Sequence, residues 1–175
     1  MLWMDEIEKG FRDTGEGGAS RVLGSLLTWQ QEKQSPVFLV ATANQVESLP
    51  PELLRKGRFD EIFFVDLPEV AERAEILRIH LTKHGRFFDQ ETVDKLAVAT
   101  EYFSGAELEQ VVVSGMYSAF AAQRDVGLED LEYAVKETVP LYRTYEEQIK
   151  QLRQWADGRA RRASRRRKVL DFFAG

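Results

Sequence analysis

The sequence contains no cysteine. Disulfides and thiolate metal sites are excluded, which fits a reducing compartment. None of its lysines follows a glycine. The phosphate-cradling loop G-x-x-x-x-G-K-[ST], which needs that step, is therefore not among these residues. No apolar run approaches the roughly 20 residues that span a bilayer, so no membrane segment is expected. The opening Met1-Leu2-Trp3-Met4-Asp5-Glu6 turns acidic almost at once. It lacks the charged start and apolar stretch of a signal peptide, and it is not Arg-rich like a transit peptide. Histidine is also scarce. His80 and His84 stand four apart, the spacing of a two-His metal site, but no cysteine and no H-E-x-x-H pattern accompanies them, so metal is not expected there.

What is present fits a soluble globular chain. The apolar fraction is 43% and the charged fraction 30%. A length of 175 residues suffices for one ordinary domain or two small ones. The net charge of −5 conceals an asymmetry, because seven of the ten residues 159–168 are basic. The remainder is correspondingly more acidic.

Residues 2–5 form a short apolar run that ends in acid. Residues 10–18 (GFRDTGEGG) are polar and glycine-rich, hence a loop. Apolar residues at 22, 23, 26 and 27 give helical spacing over 19–33. Residues 37–42 (VFLVAT) read as a strand buried on both faces, as in a parallel sheet. A short helical turn follows over 48–54, and 61–66 (EIFFVD) reads as a third strand stopped by Pro68.

Beyond Pro68 the pattern becomes helical. Ala74, Leu77 and Leu81 share one face of a helix over 71–84, and another helix spans 92–99. Ser104 and Glu107 make a capping box for a helix whose core face is Leu108, Val111, Val112, Met116, Ala119 and Phe120. Residues 128–135 give one more helix, and Tyr142, Tyr145, Ile149, Leu152 and Trp155 continue a helical stripe into the basic run. Strands interleaved with helices, then helices alone, imply an α/β piece followed by a helical one.

Three clusters could carry chemistry. Asp5 and Glu6 end a strand; one carboxylate can hold Mg²⁺ through its waters, and the second can polarise a water that attacks a γ-phosphate. The plain alternative is an acidic pair that ends a surface strand. Asn44 follows the strand at 37–42, where ligands bind in open α/β sheets, and its amide can orient water or a phosphate oxygen. It equally suits a turn. Arg55 and Arg58 flank Gly57 three residues apart and suit phosphate oxygens. The alternative there is a solvated loop with Arg58 paired to Asp60.

Taken in order, LWMDE, FLVATAN and LPPELLRKGRFDEIFFVDLP resemble the AAA family of ATPases, in particular the AAA open-reading-frame proteins of cyanobacteria and algal plastids. The resemblance implies that Asp5 and Glu6 are the Walker B pair, with Asp5 serving the metal, and that Asn44 is the sensor that positions water. It implies that Arg55 and Arg58 are arginine fingers reaching a neighbouring subunit's nucleotide. EILRIH and FSGAELEQVV resemble the family's helical lid, with His80, Gly105 and Ala106 beside the adenine or ribose. No lid arginine follows at Ala106-Glu107, as in this branch of the family. ATP and Mg²⁺ are the implied cofactors, ring self-association the implied assembly, a remodelled protein the implied substrate. The resemblance implies a bacterial cytoplasm or plastid stroma as the setting.

The fold class expected is α/β: a partial P-loop NTPase-type parallel sheet without its first strands, a small all-α lid, and a C-terminal basic helix. The boundaries are 1–68 for the core, 69–140 for the lid and 141–175 for the helix and tail. The chain reads as an AAA core cut just upstream of its second nucleotide motif. The family's central strand, between those ending in Asn44 and Asp66, is missing from it. Unpaired buried backbone groups cost about 1–3 kcal/mol each, so the isolated chain is expected to be poorly stable or to close its sheet differently, and to be inactive alone. A different class of function is a non-catalytic module that lends arginine fingers to a complete subunit. The run 159–168 could bind nucleic acid with strong salt dependence, but it has no interleaved aromatics for base stacking. Gly15-Glu16-Gly17-Gly18 is a flexible loop rather than a phosphate loop, and in the family a loop near here faces the ring's pore.

Overall fold

The computed structural model describes residues 1–12, 18–32, 34–55 and 57–164. The chain divides into two compact units, Met1–Ile62 and Phe63–Gly175.

The first unit holds β1 (Leu2–Met4), α1 (Lys9–Arg12), α2 (Gly18–Glu32) and β2 (Leu39–Ala41), then a 3-10 turn at Val46–Ser48. β1 and β2 pair in parallel, with Leu2 opposite Leu39 and Met4 opposite Ala41. The ladder extends past both strand ends. Leu2 N donates to Phe38 O at 2.8 Å, and Thr42 N donates to Met4 O at 2.9 Å. A parallel pair needs a crossover, and α1 with α2 supplies it. Residues 37–42 are not buried on both faces, however. Leu39, Val40 and Ala41 are half-buried and Phe38 is 72% exposed. β1 is β2's partner among the described residues, and a two-stranded ribbon has too little area to enclose either face. Of the segment 10–18 read as a loop, residues 10–12 belong to α1 and Gly18 begins α2, while residues 13–17 lie outside the described residues.

The second unit is mainly helical. It contains β3 (Phe63–Phe64), α3 (Val70–Lys83), α4 (Gln90–Ala99), α5 (Gly105–Ala121), α6 (Leu128–Glu137), α7 (Tyr142–Ala156) and β4 (Arg161–Arg162). Its core is Leu77, Leu81, Val93, Leu96, Leu108, Val111, Val112 and Leu131. The starts of α4 and α5 have local causes. Asp89 accepts from Thr92 N at 2.8 Å to open α4. Ser104 and Glu107 form the capping box that opens α5. α5 and α6 approach closely at Gly115, where an added Cβ would lie 2.7 Å from Leu131 Cδ2. The buried Arg73 joins α3 to the end of α4. Its Nε donates to Ala97 O at 2.9 Å and its Nη1 to Pro68 O at 2.8 Å. Burial holds this guanidinium below its ordinary pKa.

The second unit also departs from the sequence reading, and of the strand expected over 61–66 only Phe63–Phe64 pairs as β3. Phe120 is 80% exposed, because it lies about 100° around the helix from the buried Ala119. The C-terminal basic helix stops early. α7 ends at Ala156, Gly158 takes φ +73°, and the basic residues leave as a turn and as β4. β4 pairs with β3 in parallel, and Ala163 N donates to Phe64 O at 2.9 Å. Among the described residues β3's partner is thus a segment of the chain's own tail, in a pair separate from β1–β2. Asp66 secures this end. It accepts from Arg153 Nε at 2.9 and 3.0 Å and lies 3.6 Å from Arg162 Nη1. Residues 165–168 of the basic run lie outside the described residues.

Candidate functional site

The parallel register of β1 and β2 places both strands' C-terminal ends side by side. The residues just beyond, 5–8 and 42–44, face one another across two loops. Thr42 is the hub. Its hydroxyl donates to Asp5 Oδ1 at 2.5 Å and accepts from Glu6 N at 3.0 Å. Its carbonyl accepts from Ile7 N at 2.9 Å. These bonds hold Glu6 at φ 48°, in the left-handed region. For a non-glycine residue that conformation costs about 1–2 kcal/mol, and such strain clusters where side-chain direction matters.

The Glu6 carboxylate is engaged on both oxygens. Asn44 Nδ2 donates to Oε1 at 3.1 Å, and Lys9 Nζ lies 2.5 Å from Oε2. That hydrogen bond, and then the charge of Glu6, raises the Lys9 pKa. Asn44 is held from behind: its backbone N–H donates to Glu8 Oε1 at 3.0 Å. Glu8 is only 3% exposed.

Of the sequence-derived candidates, Asp5, Glu6 and Asn44 therefore share one cluster. Arg55 and Arg58 lie on the turn after Leu54, where Arg58 N donates to Arg55 O at 3.3 Å and Gly57 takes φ +90°. Arg55 is exposed and Arg58 half-exposed. Among the described residues neither guanidinium has a side-chain partner, so Arg58 does not pair with Asp60. In the second unit, His80 Nδ1 stands 3.3 Å from Glu109 Oε1, within ion-pair distance but without hydrogen-bond alignment. Gly105 and Ala106 form the first turn of α5. Behind them Glu107 accepts from Ser104 N at 2.7 Å and from Leu141 N at 2.6 Å, which fixes that turn to the α6–α7 connection.

Thr42, Glu8 and Lys9 were missed by sequence reasoning. Thr42 had a signal, since i and i+2 share a face in extended chain and it stands two before Asn44. No group of three or more carboxylate or imidazole side chains among the described residues could hold a metal alone.

Residues 1–67 match the model for the ATPase family associated with various cellular activities (AAA). The AAA domain-containing protein ycf46 of the alga Pyropia yezoensis is 49% identical over 170 residues, which cover 94% of this chain. This chain belongs to the AAA family. It spans 35% of that relative's length. The counterpart from Trieres chinensis is 46% identical over 95% of the chain and 35% of its own length. The ATP-dependent zinc metalloprotease FtsH of Acidothermus cellulolyticus is 38% identical over 77% of the chain and 22% of its own length. Among solved structures, the FIGL-1 AAA domain in complex with ADP superposes with a TM-score of 0.76 over 90% of this chain and 57% of that one. Its identity is 16%, so it speaks to the α/β AAA fold alone.

Proposed function

We propose that the cluster at the ends of β1 and β2 is the hydrolytic half of a Mg-ATP site, completed by a phosphate loop and by a neighbouring copy. The observation that carries this reading is the Asn44–Glu6 hydrogen bond at 3.1 Å. It aims a neutral donor and a carboxylate at one spot, the arrangement that orients and deprotonates a water.

The roles follow from the bonds. Thr42 occupies Asp5 Oδ1, which leaves Oδ2 of this exposed residue as the oxygen available to a metal's waters. A single carboxylate fits Mg²⁺, which keeps several waters and takes phosphate oxygens instead of an all-protein cage. When bound, the ion offsets phosphate charge. Glu6 accepts the proton of the attacking water, and Asn44 fixes the direction from which that water approaches. Lys9 holds Glu6 Oε2 in the arrangement described and must yield it, or share it, as the water is engaged. Arg55 and Arg58, with unengaged guanidiniums, act on the nucleotide of an adjacent subunit in a ring. His80, Gly105 and Ala106 line the adenine or ribose. The motor remodels a protein, and the algal sources of the similar proteins support a plastid or a related bacterial cytoplasm as its setting.

The test is a complete ATPase formed by joining these residues to the preceding part of the Pyropia yezoensis relative. Glu6→Gln should retain ATP binding and lose turnover by about 10² or more. Undiminished turnover would rule out Glu6 as the base. The chain alone should show no ATP binding at ordinary concentrations. If it instead restores turnover to a finger-less complete subunit, the non-catalytic module is the better description.

A further inference from the structure

We propose that Glu8 is a positioning residue: its buried side chain anchors the backbone of Asn44, and through it the Asn44 amide that reaches Glu6. The inference rests on the reading of Glu6 and Asn44 given above and adds a residue outside the motifs quoted from the sequence.

Three observations carry it. Glu8 is 3% exposed, although its neighbours Lys9 and Gly10 lie at the surface. Its Oε1 accepts the Asn44 backbone N–H at 3.0 Å, and this is the long-range bond of that N–H. Its Oε2 is buried without a hydrogen-bond partner among the described residues. A buried carboxylate with half its acceptors idle is a poor way to gain stability. Its geometry, however, is restrictive. Asn44 itself is exposed, so its amide would otherwise sample several rotamers from a mobile backbone. With its N–H bound to a buried side chain, the Asn44 backbone is tied to residues 5–8. The same short segment thus carries Asp5, Glu6 and the strut that holds Asn44 opposite Glu6. Ile7 N on Thr42 O and Glu6 N on Thr42 Oγ1 complete the clasp. A displacement of about 1 Å at such a site costs on the order of a hundredfold in rate, which is the scale a strut controls.

The test compares Glu8→Gln, which keeps an acceptor oxygen, with Glu8→Leu, which removes it. In the full chain, amide hydrogen exchange is followed at Asn44, with Leu108 and Val111 of α5 as fold controls. Glu8→Leu should speed exchange at Asn44 about tenfold or more with the controls unchanged, and Glu8→Gln should restore protection to within about twofold. Unchanged Asn44 exchange in Glu8→Leu, or equal exchange in both variants, overturns the proposal. If both fold controls also collapse in Glu8→Leu, the Gln variant decides: Asn44 exchange more than about tenfold faster there also overturns it. In the completed ATPase, Glu8→Leu should lower kcat on the order of tenfold to a hundredfold with KM for ATP within about twofold. It should cost nothing further in an Asn44→Ala background. A full additional loss in that background contradicts positioning through Asn44. Absence of turnover in the unsubstituted enzyme would instead defeat the hydrolytic reading, and the exchange result would still decide the role of Glu8.

Discussion

Asn44 Nδ2 and Glu6 Oε1 lie 3.1 Å apart although the two residues are 38 positions apart in sequence. Two parallel strands in register bring this about, with Met4 opposite Ala41, so that the loops leaving each strand meet. The hydroxyl of Thr42 then locks the acidic loop to the other.

Replacing Asn44 with Ala removes the donor to Glu6 while leaving its own N–H on Glu8. In the completed ATPase, kcat should fall on the order of tenfold to a hundredfold, with KM for ATP little changed. Steady-state kinetics check this. A raised KM at constant kcat would place Asn44 in nucleotide binding instead.

Thr42→Val keeps the shape of the hub and deletes its hydroxyl. The N–H of Glu6 and Asp5 Oδ1 both lose a partner. The expected loss of stability is about 1–3 kcal/mol, because the left-handed backbone of Glu6 is then held only by its neighbours. Urea denaturation measures it. Thr42→Ser should recover most of the loss, since the hydroxyl returns.

Asp130 gives the second unit an acid-sensitive point. Its buried carboxylate accepts from Arg124 Nη1 and Nη2 at 2.6 and 2.7 Å and from Gly127 N at 2.8 Å. The Arg124 bond first, and then the Gly127 amide, hold its pKa below the ordinary 3.8. A depressed folded pKa stabilises fully above the unfolded value and is lost as pH falls through the folded one. The stability gap between the unsubstituted chain and Asp130→Asn should therefore be constant above about pH 5 and shrink below about pH 4. Its size should be about 1 kcal/mol, since Arg124 is half-exposed and screened. Denaturation at several pH values tests it, and a gap constant down to pH 2 would contradict the account.

Gly115→Val should lower stability by about 1–3 kcal/mol. The new side chain meets the fully buried Leu131 and the Asp130 backbone, which cannot both withdraw. The α5–α6 contact is thus sized for a hydrogen atom. Thermal unfolding of the variant provides the check.

Much of the architecture is legible in the sequence. The β-branched run around Leu39 marks a parallel strand, the spacing of Ala74, Leu77 and Leu81 marks α3, and Ser104 with Glu107 marks the start of α5. Each is a local signal with a local cause. What escaped is what register and closure decide. Glu8 looks like any acid in a charged loop until the β1–β2 pairing buries it beneath Asn44. The strand at 37–42 has the composition for burial on two faces, yet composition does not supply the layers. The turn at Gly158, after which the basic residues run alongside β3, is bracketed by Arg153 and Arg162, both of which meet Asp66 from nearly a hundred residues earlier. Residue type and family resemblance single out Asp5, Glu6, Arg55 and Arg58, while the proposed chemistry also needs a phosphate loop and a neighbouring subunit.

The most direct measurement mixes two inactive forms of the completed ATPase, one carrying Glu6→Gln and the other Arg55→Ala with Arg58→Ala. If the acids and the guanidiniums serve opposite sides of one triphosphate, mixed rings contain interfaces with both sets intact. Turnover should then rise well above that of either parent, in proportion to those interfaces. A mixture as inactive as its parents, in rings shown to have exchanged subunits, would contradict the account.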